Sequence, residues 1–166
     1  TEIYTLSLHD ALPILKHLGR VDCTVHCRNE GPESCAADVV RYISERYGRP
    51  SIALIGYQPA MLEQLAKKYD VRAVDLSPSN IGQRRFGVLI EGGRIPETSQ
   101  SLCRLADLVL CTGSTVCNGS IVEFLPFKDK ILFYGTTLAG AAPLMGLPRL
   151  CFADRYQDSF LQNTSA

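Results

Sequence analysis

Residues 113–119 read Gly-Ser-Thr-Val-Cys-Asn-Gly and concentrate glycine, hydroxyl and amide groups in one short segment. They follow the apolar run of residues 105–111, which has the composition of a buried strand. Open α/β sheets bind ligands at the carboxyl ends of such strands. Backbone N–H groups and hydroxyls at that position can hold a polar or anionic group. The segment therefore predicts a ligand-binding cleft, but it does not indicate a reaction.

Three more segments place glycine, hydroxyl or carboxylate groups after predicted strands, namely residues 56–59, 75–82 and 135–137. Because parallel strands end at the same edge of a sheet, we expect these segments and residues 113–119 to lie together. The candidate ligand-binding residues are Gly56, Pro59, Asp75, Asn80, Gly113, Ser114, Thr115, Asn118, Gly119, Thr136 and Thr137. The alternative is that the hydroxyl and amide residues in this set only cap their helices.

Asp75 ends a predicted strand 19 residues after Gly56. Dinucleotide-binding α/β proteins place a ribose-binding acid at a similar spacing, which favours a nucleoside-like ligand. The first loop reads Gly-Tyr-Gln-Pro rather than Gly-x-Gly-x-x-Gly, so close approach of a pyrophosphate is not supported. A turn-forming or capping role for Asp75 is equally consistent with its position.

Four sulfur and imidazole side chains lie within thirteen residues: Cys23, His26, Cys27 and Cys35. Thiolate and imidazole are suitable ligands for zinc or another transition metal, although the spacing differs from a Cys-x-x-Cys knuckle. Cys117 lies in the predicted binding loop and is a further candidate ligand. The alternative is a set of buried thiols without a metal. The three other cysteines, Cys103, Cys111 and Cys151, are predicted to pack in the core.

The predicted elements alternate between strands and helices. Helices are expected over residues 35–47, from Pro59, and over residues 98–105, 118–125 and 136–144, the last of which leads into residues 150–152. Strands are expected over residues 51–56, 71–75, 108–112 and 131–134. Residues 86–90 form a short hairpin or an irregular loop. This alternation predicts the α/β class, with an open, mostly parallel sheet and helices on both of its faces.

Composition restricts the classes of partner. Lys and Arg total 17, Asp and Glu also total 17, and no block of like charge occurs, which argues against nucleic acid. No apolar stretch approaches the roughly 20 residues of a membrane span. Seven cysteines, an odd number, without a visible secretory signal are typical of reduced cytoplasmic thiols. We therefore expect a cytoplasmic protein whose partner is a small anionic molecule or metal chelate, with self-association as an option.

The chain is expected to divide into four parts. Residues 1–14 match, codon by codon, the translation of a short-read sequencing adapter, so we interpret them as non-native. Residues 15–50 are an N-terminal segment with one helix, and we expect a domain upstream of this segment to be truncated. Residues 51–153 form the α/β domain, and the polar residues 154–166 form a tail.

Four motifs occur in order: Ile-Gly-x-x-Pro-Ala from Ile55, Asp-x-x-Pro-x-Asn-Ile-Gly from Asp75, Thr-Gly-Ser-Thr-x-x-Asn-Gly from Thr112, and Phe-Tyr-Gly-Thr-Thr-Leu-Ala-Gly from Phe133. Together they resemble the heavy-metal chelation family, domain of unknown function 364. The resemblance covers roughly residues 27–151 and implies a Rossmann-like domain. In many members this domain follows a smaller one that resembles the enolase N-terminal domain. The resemblance also implies handling of metals or metal-containing cofactors.

These observations predict a domain that binds a small ligand or metal chelate, with a transition metal as the implied cofactor. One alternative is a nucleoside-cofactor enzyme, similar to a methyltransferase, with Asp75 on the ribose. Another is a non-catalytic assembly module whose small residues 139–142 pack against a second subunit. The sequence identifies no catalytic residue, because His26 is the single histidine well inside the expected native sequence.

Overall fold

The computed structural model describes residues 17–19, 31–93 and 96–152. The strands are β1 (Ile52–Ile55), β2 (Val71–Asp75), β3 (Arg84–Arg85), β4 (Val88–Gly92), β5 (Leu108–Thr112), β6 (Ile131–Tyr134) and β7 (Arg149–Leu150). The helices are α1 (Gly31–Tyr47), α2 (Pro59–Ala66), α3 (Pro96–Leu105), α4 (Ser114–Cys117) and α5 (Ala141–Met145). The expected adapter-derived residues 1–14 and the tail lie outside the described residues.

The strands form one sheet in the order β3-β4-β2-β1-β5-β6-β7. All neighbouring pairs are parallel except the antiparallel pair β3–β4. From β1 the chain extends the sheet through β2 and β4 on one side, and from β5 it continues through β6 and β7 on the other. The reversal between β1 and β5 is a topological switch point of the Rossmann type. The predicted open, mostly parallel α/β sheet is confirmed.

Alternate side chains of each central strand enter two separate cores. Ile52 and Leu54 of β1 belong to the apolar cluster that includes residues of α1 and α2. Ala53 and Ile55 belong to a second cluster, with residues of α3 and of the segment after β5. Because successive side chains of a strand point to opposite faces, a sheet covered on both sides needs apolar residues at every position. This requirement explains the continuous apolar runs in the sequence.

The first layer is formed by α1 and α2. Helix α1 begins at Gly31, four positions before the predicted start at residue 35, and it ends at Tyr47 as predicted. Pro59 occupies the first turn of α2, as predicted, where its missing N–H costs no helical hydrogen bond. The side chain of Gln58 caps this helix by accepting a hydrogen bond from the Met61 amide.

The predicted helix over residues 118–125 is wrong. The short helix α4 ends at Cys117, and two 3-10 turns follow, Ser120–Glu123 and Leu125–Phe127. Gly119 adopts a left-handed conformation with φ of 77°, which ends the helical run. Pro126 then removes a backbone donor from the next turn. Ile121 and Phe124 are buried, as a helical spacing predicts, whereas Val122 and Leu125 are exposed. Gly119 and Pro126 divide the segment into short turns.

The predicted helix over residues 136–144 is also wrong at its start, because α5 begins only at Ala141. Gly135 has φ of 93°, and the Ala139 amide donates to the Thr136 carbonyl at 2.9 Å in a local turn. The turn brings Leu138 against Gly113, where a Cβ would lie 2.8 Å from the Leu138 Cβ. Leu138 thus packs against the residue that follows β5, and residues 136–140 form a turn before α5 begins.

Residues 84–92 form a short hairpin at the sheet edge, one of the two structures expected for this segment. Its two-residue loop contains Phe86 and Gly87, with φ of 50° and 82°. Two positive values are typical of the type I′ turn that suits the twist of a hairpin. In the described part of the chain, no helix combines the length and apolar character needed to cross a bilayer.

Candidate functional site

A cavity of about 600 Å³ lies at the carboxyl ends of β1, β2, β5 and β6. We call it the switch-point cleft, because β1 and β5 flank the reversal of strand order. All four segments that were predicted to share one sheet edge contribute to its lining. Its volume falls in the range of small-molecule sites. The topology therefore assembles a ligand-sized cavity from separate loops.

The floor of the cleft depends on close contact between the ends of β1 and β5. Gly56 has φ of +89°, and a Cβ at this position would lie 2.4 Å from the Thr112 Cγ2 atom and 2.9 Å from the Thr112 Cβ. The Tyr134 hydroxyl donates to the Gly56 carbonyl at 2.6 Å. Glycine is needed here for both its conformation and its size.

Tyr134 is a buried hydrogen-bond donor rather than a candidate base. Burial raises the pKa of its phenol well above the ordinary value, with smaller contributions in the same direction from Cys111 and Asp75. The phenol therefore stays protonated and spans from β6 across β5 to the end of β1. Tyr134 also lines the cleft. Sequence reasoning missed this role, because nothing local marks a strand tyrosine as an inter-strand link.

Asp75 connects the first two loops of the cleft. One carboxylate oxygen accepts the Tyr57 amide at 2.6 Å, and the other accepts the Ser77 amide at 2.7 Å. The contact with Ser77 is the turn-forming role expected from sequence. The contact with Tyr57 fixes the loop after β1. Asp75 also lines the cleft, so its structural role and access to a ligand coexist.

The amides at the start of α2 are largely occupied. Pro59 has no N–H, the Met61 amide donates to the Gln58 side chain, and the Leu62 amide donates to the Gln58 carbonyl at 2.9 Å. In dinucleotide-binding proteins the corresponding helix start receives the pyrophosphate. Here the helix supplies its own cap, which agrees with the absence of the glycine-rich pattern.

The loop after β5 is held by internal side-chain bonds. The buried Thr115 hydroxyl donates to the Thr112 carbonyl at 2.8 Å. The Asn118 side-chain oxygen accepts from the Ser120 amide at 3.0 Å and from the Ser120 hydroxyl at 2.7 Å. These bonds place both side chains in local turns, from Asn118 to Ser120 and from Thr115 to Thr112, and neither side chain caps the predicted helix over residues 118–125. Both residues, together with Ser114, also line the cleft.

The loop after β6 contributes Gly135, Thr136 and Thr137 to the cleft. The Arg149 Nε donates to the Gly135 carbonyl at 2.9 Å and links this loop to β7. Since α5 starts at Ala141, neither threonine caps a helix, which corrects that alternative. Their hydroxyls instead belong to a turn at the mouth of the cavity.

The structure brings together most of the predicted ligand-binding residues. Those that line the cleft are Gly56, Asp75, Ser114, Thr115, Asn118, Thr136 and Thr137. Four others lie outside its lining: Pro59 starts α2, Asn80 forms a turn, Gly113 packs against Leu138, and Gly119 ends α4. These four shape the loops without facing the cavity.

Several lining residues were missed from sequence. The main ones are Tyr57, Gln58, Glu123, Tyr134 and Cys151, together with the apolar side chains Val39, Ile55, Met61, Val74 and Leu150. Pro32, Cys35 and Val39 are spaced at a helical period, so the sequence could have shown that they lie on the same face of α1. The sequence carries no signal that this face meets the cleft.

The charged side chains of the cleft are acidic. Asp75 and Glu123 line it, and no Lys, Arg or His does so within the described residues. An anionic group would therefore depend on backbone amides and hydroxyls alone. The lining does not supply the positive charge that an anionic ligand would favour.

The cysteines do not form a metal centre within the described residues, where no group of three or more His, Cys, Asp or Glu side chains could hold an ion. Cys35 and Cys151 line the cleft, and Cys151 is thus not merely a packing residue. Cys117 is exposed and lies outside the lining. The remaining candidate ligands, Cys23, His26 and Cys27, lie outside the described part of the chain.

Cys103 and Cys111 are buried, as predicted. Burial raises the pKa of the Cys103 thiol to about 11 and that of the Cys111 thiol to about 12. The Thr115 hydroxyl, 3.7 Å from the Cys111 sulfur, lowers the second value only partly. Both thiols are therefore protonated near neutral pH and serve as packing groups.

A second, more open groove of about 440 Å³ lies beside the β3–β4 hairpin. Its lining includes Val71 and Arg72, at the amino-terminal end of β2. Ligands of open α/β sheets bind at the opposite, carboxyl ends of the strands. The switch-point cleft is therefore the better candidate site.

A family model described as "Putative heavy-metal chelation", DUF364, matches residues 38–141. Two crystal structures of DUF364 proteins of unknown function are similar to this chain. The protein from Desulfitobacterium hafniense DCB-2 is 17% identical with a TM-score of 0.47, and that from Pyrococcus horikoshii is 20% identical with a TM-score of 0.45. Each comparison covers 64% of this chain but only 41% and 47% of those proteins, respectively, so it spans less than half their length. No curated protein matches this chain significantly.

Proposed function

Because this chain belongs to the DUF364 family, we propose that it binds a small polar molecule, or a metal chelate of such a molecule, in the switch-point cleft. The observation that carries the proposal is the cavity itself. Four loops from non-adjacent parts of the sequence converge on about 600 Å³ at the reversal of strand order. Apolar walls and a few convergent polar groups are the usual composition of a small-molecule site.

The family description names heavy-metal chelation, and the donor set of the described residues favours a metal that enters as a chelate rather than as a bare ion. A bare transition metal needs several protein donors at fixed geometry. The described residues offer no such set of three. A chelate would bring its own donor atoms, and the protein would bind its organic part. A neutral or cationic chelate would suit Asp75 and Glu123 better than an anionic one.

Binding, rather than catalysis or subunit assembly, is the function proposed. Gly140, Ala141 and Ala142 are buried inside this chain, where Ala141 and Ala142 pack in the second core cluster. These residues therefore do not present the small-residue surface that the assembly alternative required. A cytoplasmic location is proposed on the sequence argument of reduced thiols, with which the free cysteines of the described segments agree.

Equilibrium dialysis against a small-molecule cell extract tests the proposal. Retained compounds are identified by mass spectrometry, and retained metals by elemental analysis. Ser114→Trp fills the cleft from an exposed lining position, whereas Ser101→Trp adds the same ring to an exposed position on α3 outside it. The wild type and Ser101→Trp are expected to retain the same compound, and Ser114→Trp to lose it. Equal retention by all three proteins, or no retention by the wild type, would overturn the proposal.

A further inference from the structure

We infer that the switch-point cleft selects an unphosphorylated nucleoside-type ligand, with a flat apolar group and a vicinal diol. The inference rests on the proposed function, since it names the chemical class of the molecule that occupies the same site. Four independent features of the cleft lead to it. They are the orientation of Asp75, the closed start of α2, the charge of the lining, and the apolar walls.

Asp75 is positioned to accept hydroxyl donors. Its two oxygens are fixed by the Tyr57 and Ser77 amides at 2.6 and 2.7 Å, so the carboxylate is held rigidly at the edge of the cavity. A carboxylate only accepts hydrogen bonds, and each oxygen has a further lone pair. Two hydroxyls on adjacent carbons match two adjacent carboxylate oxygens. The end of the second strand is also where Rossmann proteins recognise a ribose.

The start of α2 is a poor site for the phosphate that usually accompanies such a ribose. Gln58 occupies the Met61 and Leu62 amides through its side chain and its carbonyl, and Pro59 has no amide to offer. A phosphate at this position would compete with bonds that the helix already makes. The donors on which a pyrophosphate depends are thus largely used within the protein.

The charge of the lining also disfavours a phosphate. Asp75 and Glu123 are the ionisable acids that line the cleft, and no basic side chain lines it in the described segments. Arg149 contacts a lining residue, but through the Gly135 carbonyl and from outside the lining itself. A phosphate dianion would approach two carboxylates without a compensating cation, which is unfavourable in a partly enclosed site.

The walls provide a place for a flat group. Leu76 and Leu150 are accessible apolar side chains of the lining, and the buried side chains of Val39, Ile55, Met61 and Val74 lie behind them. A nucleobase buries two apolar faces and keeps polar atoms at its edge. The hydroxyl and amide groups of Ser114 and Asn118 lie in the same lining. This combination accommodates a base and a sugar without a phosphate.

Calorimetric titration of the wild-type chain with adenosine, guanosine, cytidine and uridine tests the inference. At least one ribonucleoside is expected to bind. Its 5′-monophosphate is expected to bind about tenfold more weakly or worse because of charge repulsion. Its 2′,3′-dideoxy form is expected to lose about tenfold because Asp75 would lack both donors. A monophosphate that binds as tightly as the nucleoside, or a dideoxy form that binds equally well, would overturn the inference.

A charge variant provides a second readout that does not depend on Asp75. Glu123→Gln is expected to lower the ratio of nucleoside affinity to monophosphate affinity by about threefold, since one repelling charge is removed. Glu97→Gln changes the same residue type at an exposed position on α3, outside the cleft, and should leave the ratio unchanged. An unchanged ratio in Glu123→Gln would contradict the role assigned to the acidic lining.

The two proposals fail in different ways. If a compound from the extract is retained through the cleft but no ribonucleoside binds, the nucleoside inference is wrong and the proposed function stands. If Ser114→Trp retains every compound that the wild type retains, the proposed function is wrong. A nucleoside that binds equally to the wild type and to Ser114→Trp would contradict the location of the site.

Discussion

Gly56→Ala should destabilise the chain much more than an ordinary substitution at a positive-φ glycine. The new Cβ would lie 2.4 Å from the Thr112 Cγ2 atom and 2.9 Å from the Thr112 Cβ. Because the second atom is attached directly to the backbone, β5 itself must move. Positive φ costs a residue with a Cβ about 1 to 2 kcal/mol, and overpacking adds about 1 to 3 kcal/mol. We expect a total loss of about 2 to 5 kcal/mol in the free energy of unfolding.

Urea denaturation of Gly56→Ala and of Gly82→Ala separates the two contributions. Gly82 has φ of +79° but nothing within 4 Å of the position that a Cβ would take. Its substitution should therefore cost only the backbone part, about 1 to 2 kcal/mol. Thr112→Ser removes the methyl group at 2.4 Å and keeps the hydroxyl. In the double variant with Gly56→Ala it should restore at least about 1 kcal/mol.

Equal losses in the two glycine variants would refute the steric argument. The same conclusion would follow if the effects of Gly56→Ala and Thr112→Ser were additive, because a shared clash requires coupling between the two sites. Either result would mean that the loops of the cleft tolerate more separation of β1 and β5 than their contact indicates.

Three further predictions concern single groups. Tyr134→Phe should lower the free energy of unfolding by about 1 to 2 kcal/mol, because the partly buried Gly56 carbonyl loses its donor; an unchanged denaturation midpoint would contradict this. The hydrogen bond from the Ser51 hydroxyl, and then that from its amide, lowers the pKa of Asp107. The Asp107 carboxylate therefore stabilises the folded chain above its ordinary pKa, and this stabilisation is lost as the pH falls below about 4. Asp107→Asn should accordingly make the free energy of unfolding less dependent on pH in the acid range. An acid dependence as steep in Asp107→Asn as in the wild type would contradict the role of the Ser51–Asp107 hydrogen bonds. Cys117 is exposed and should react with a thiol reagent in the folded chain, whereas Cys103 and Cys111 should react only after unfolding; rapid labelling of all three would contradict their burial.

The strands were predictable because each one is a short apolar run between turn residues. Leu108–Thr112 and Ile131–Tyr134 have the predicted bounds. The helical spacing after β5 was misleading, since 3-10 turns and α-helices can bury similar apolar positions. The left-handed Gly119 and the following Pro126 decide between them. In short segments, glycine and proline residues therefore need more weight than the helical spacing of apolar residues.

The edge of the cleft was predictable from topology, but its walls were not. Asp75 was recognised at the end of its strand, yet its bond to the Tyr57 amide joins residues 18 positions apart. Val39 lies on α1, near the start of the described chain, and Cys151 follows β7, near its end. Both residues line the same cavity. Such meetings depend on how layers pack, which one sequence does not reveal.

A crystal structure of the chain with the small molecule retained in dialysis tests the central claim most directly. We predict ligand density in the switch-point cleft, between the loops that begin at Gly56 and Gly113 and beside Asp75. Density in the open groove near Arg72 and the β3–β4 hairpin, with an empty cleft, would contradict the assignment of the site.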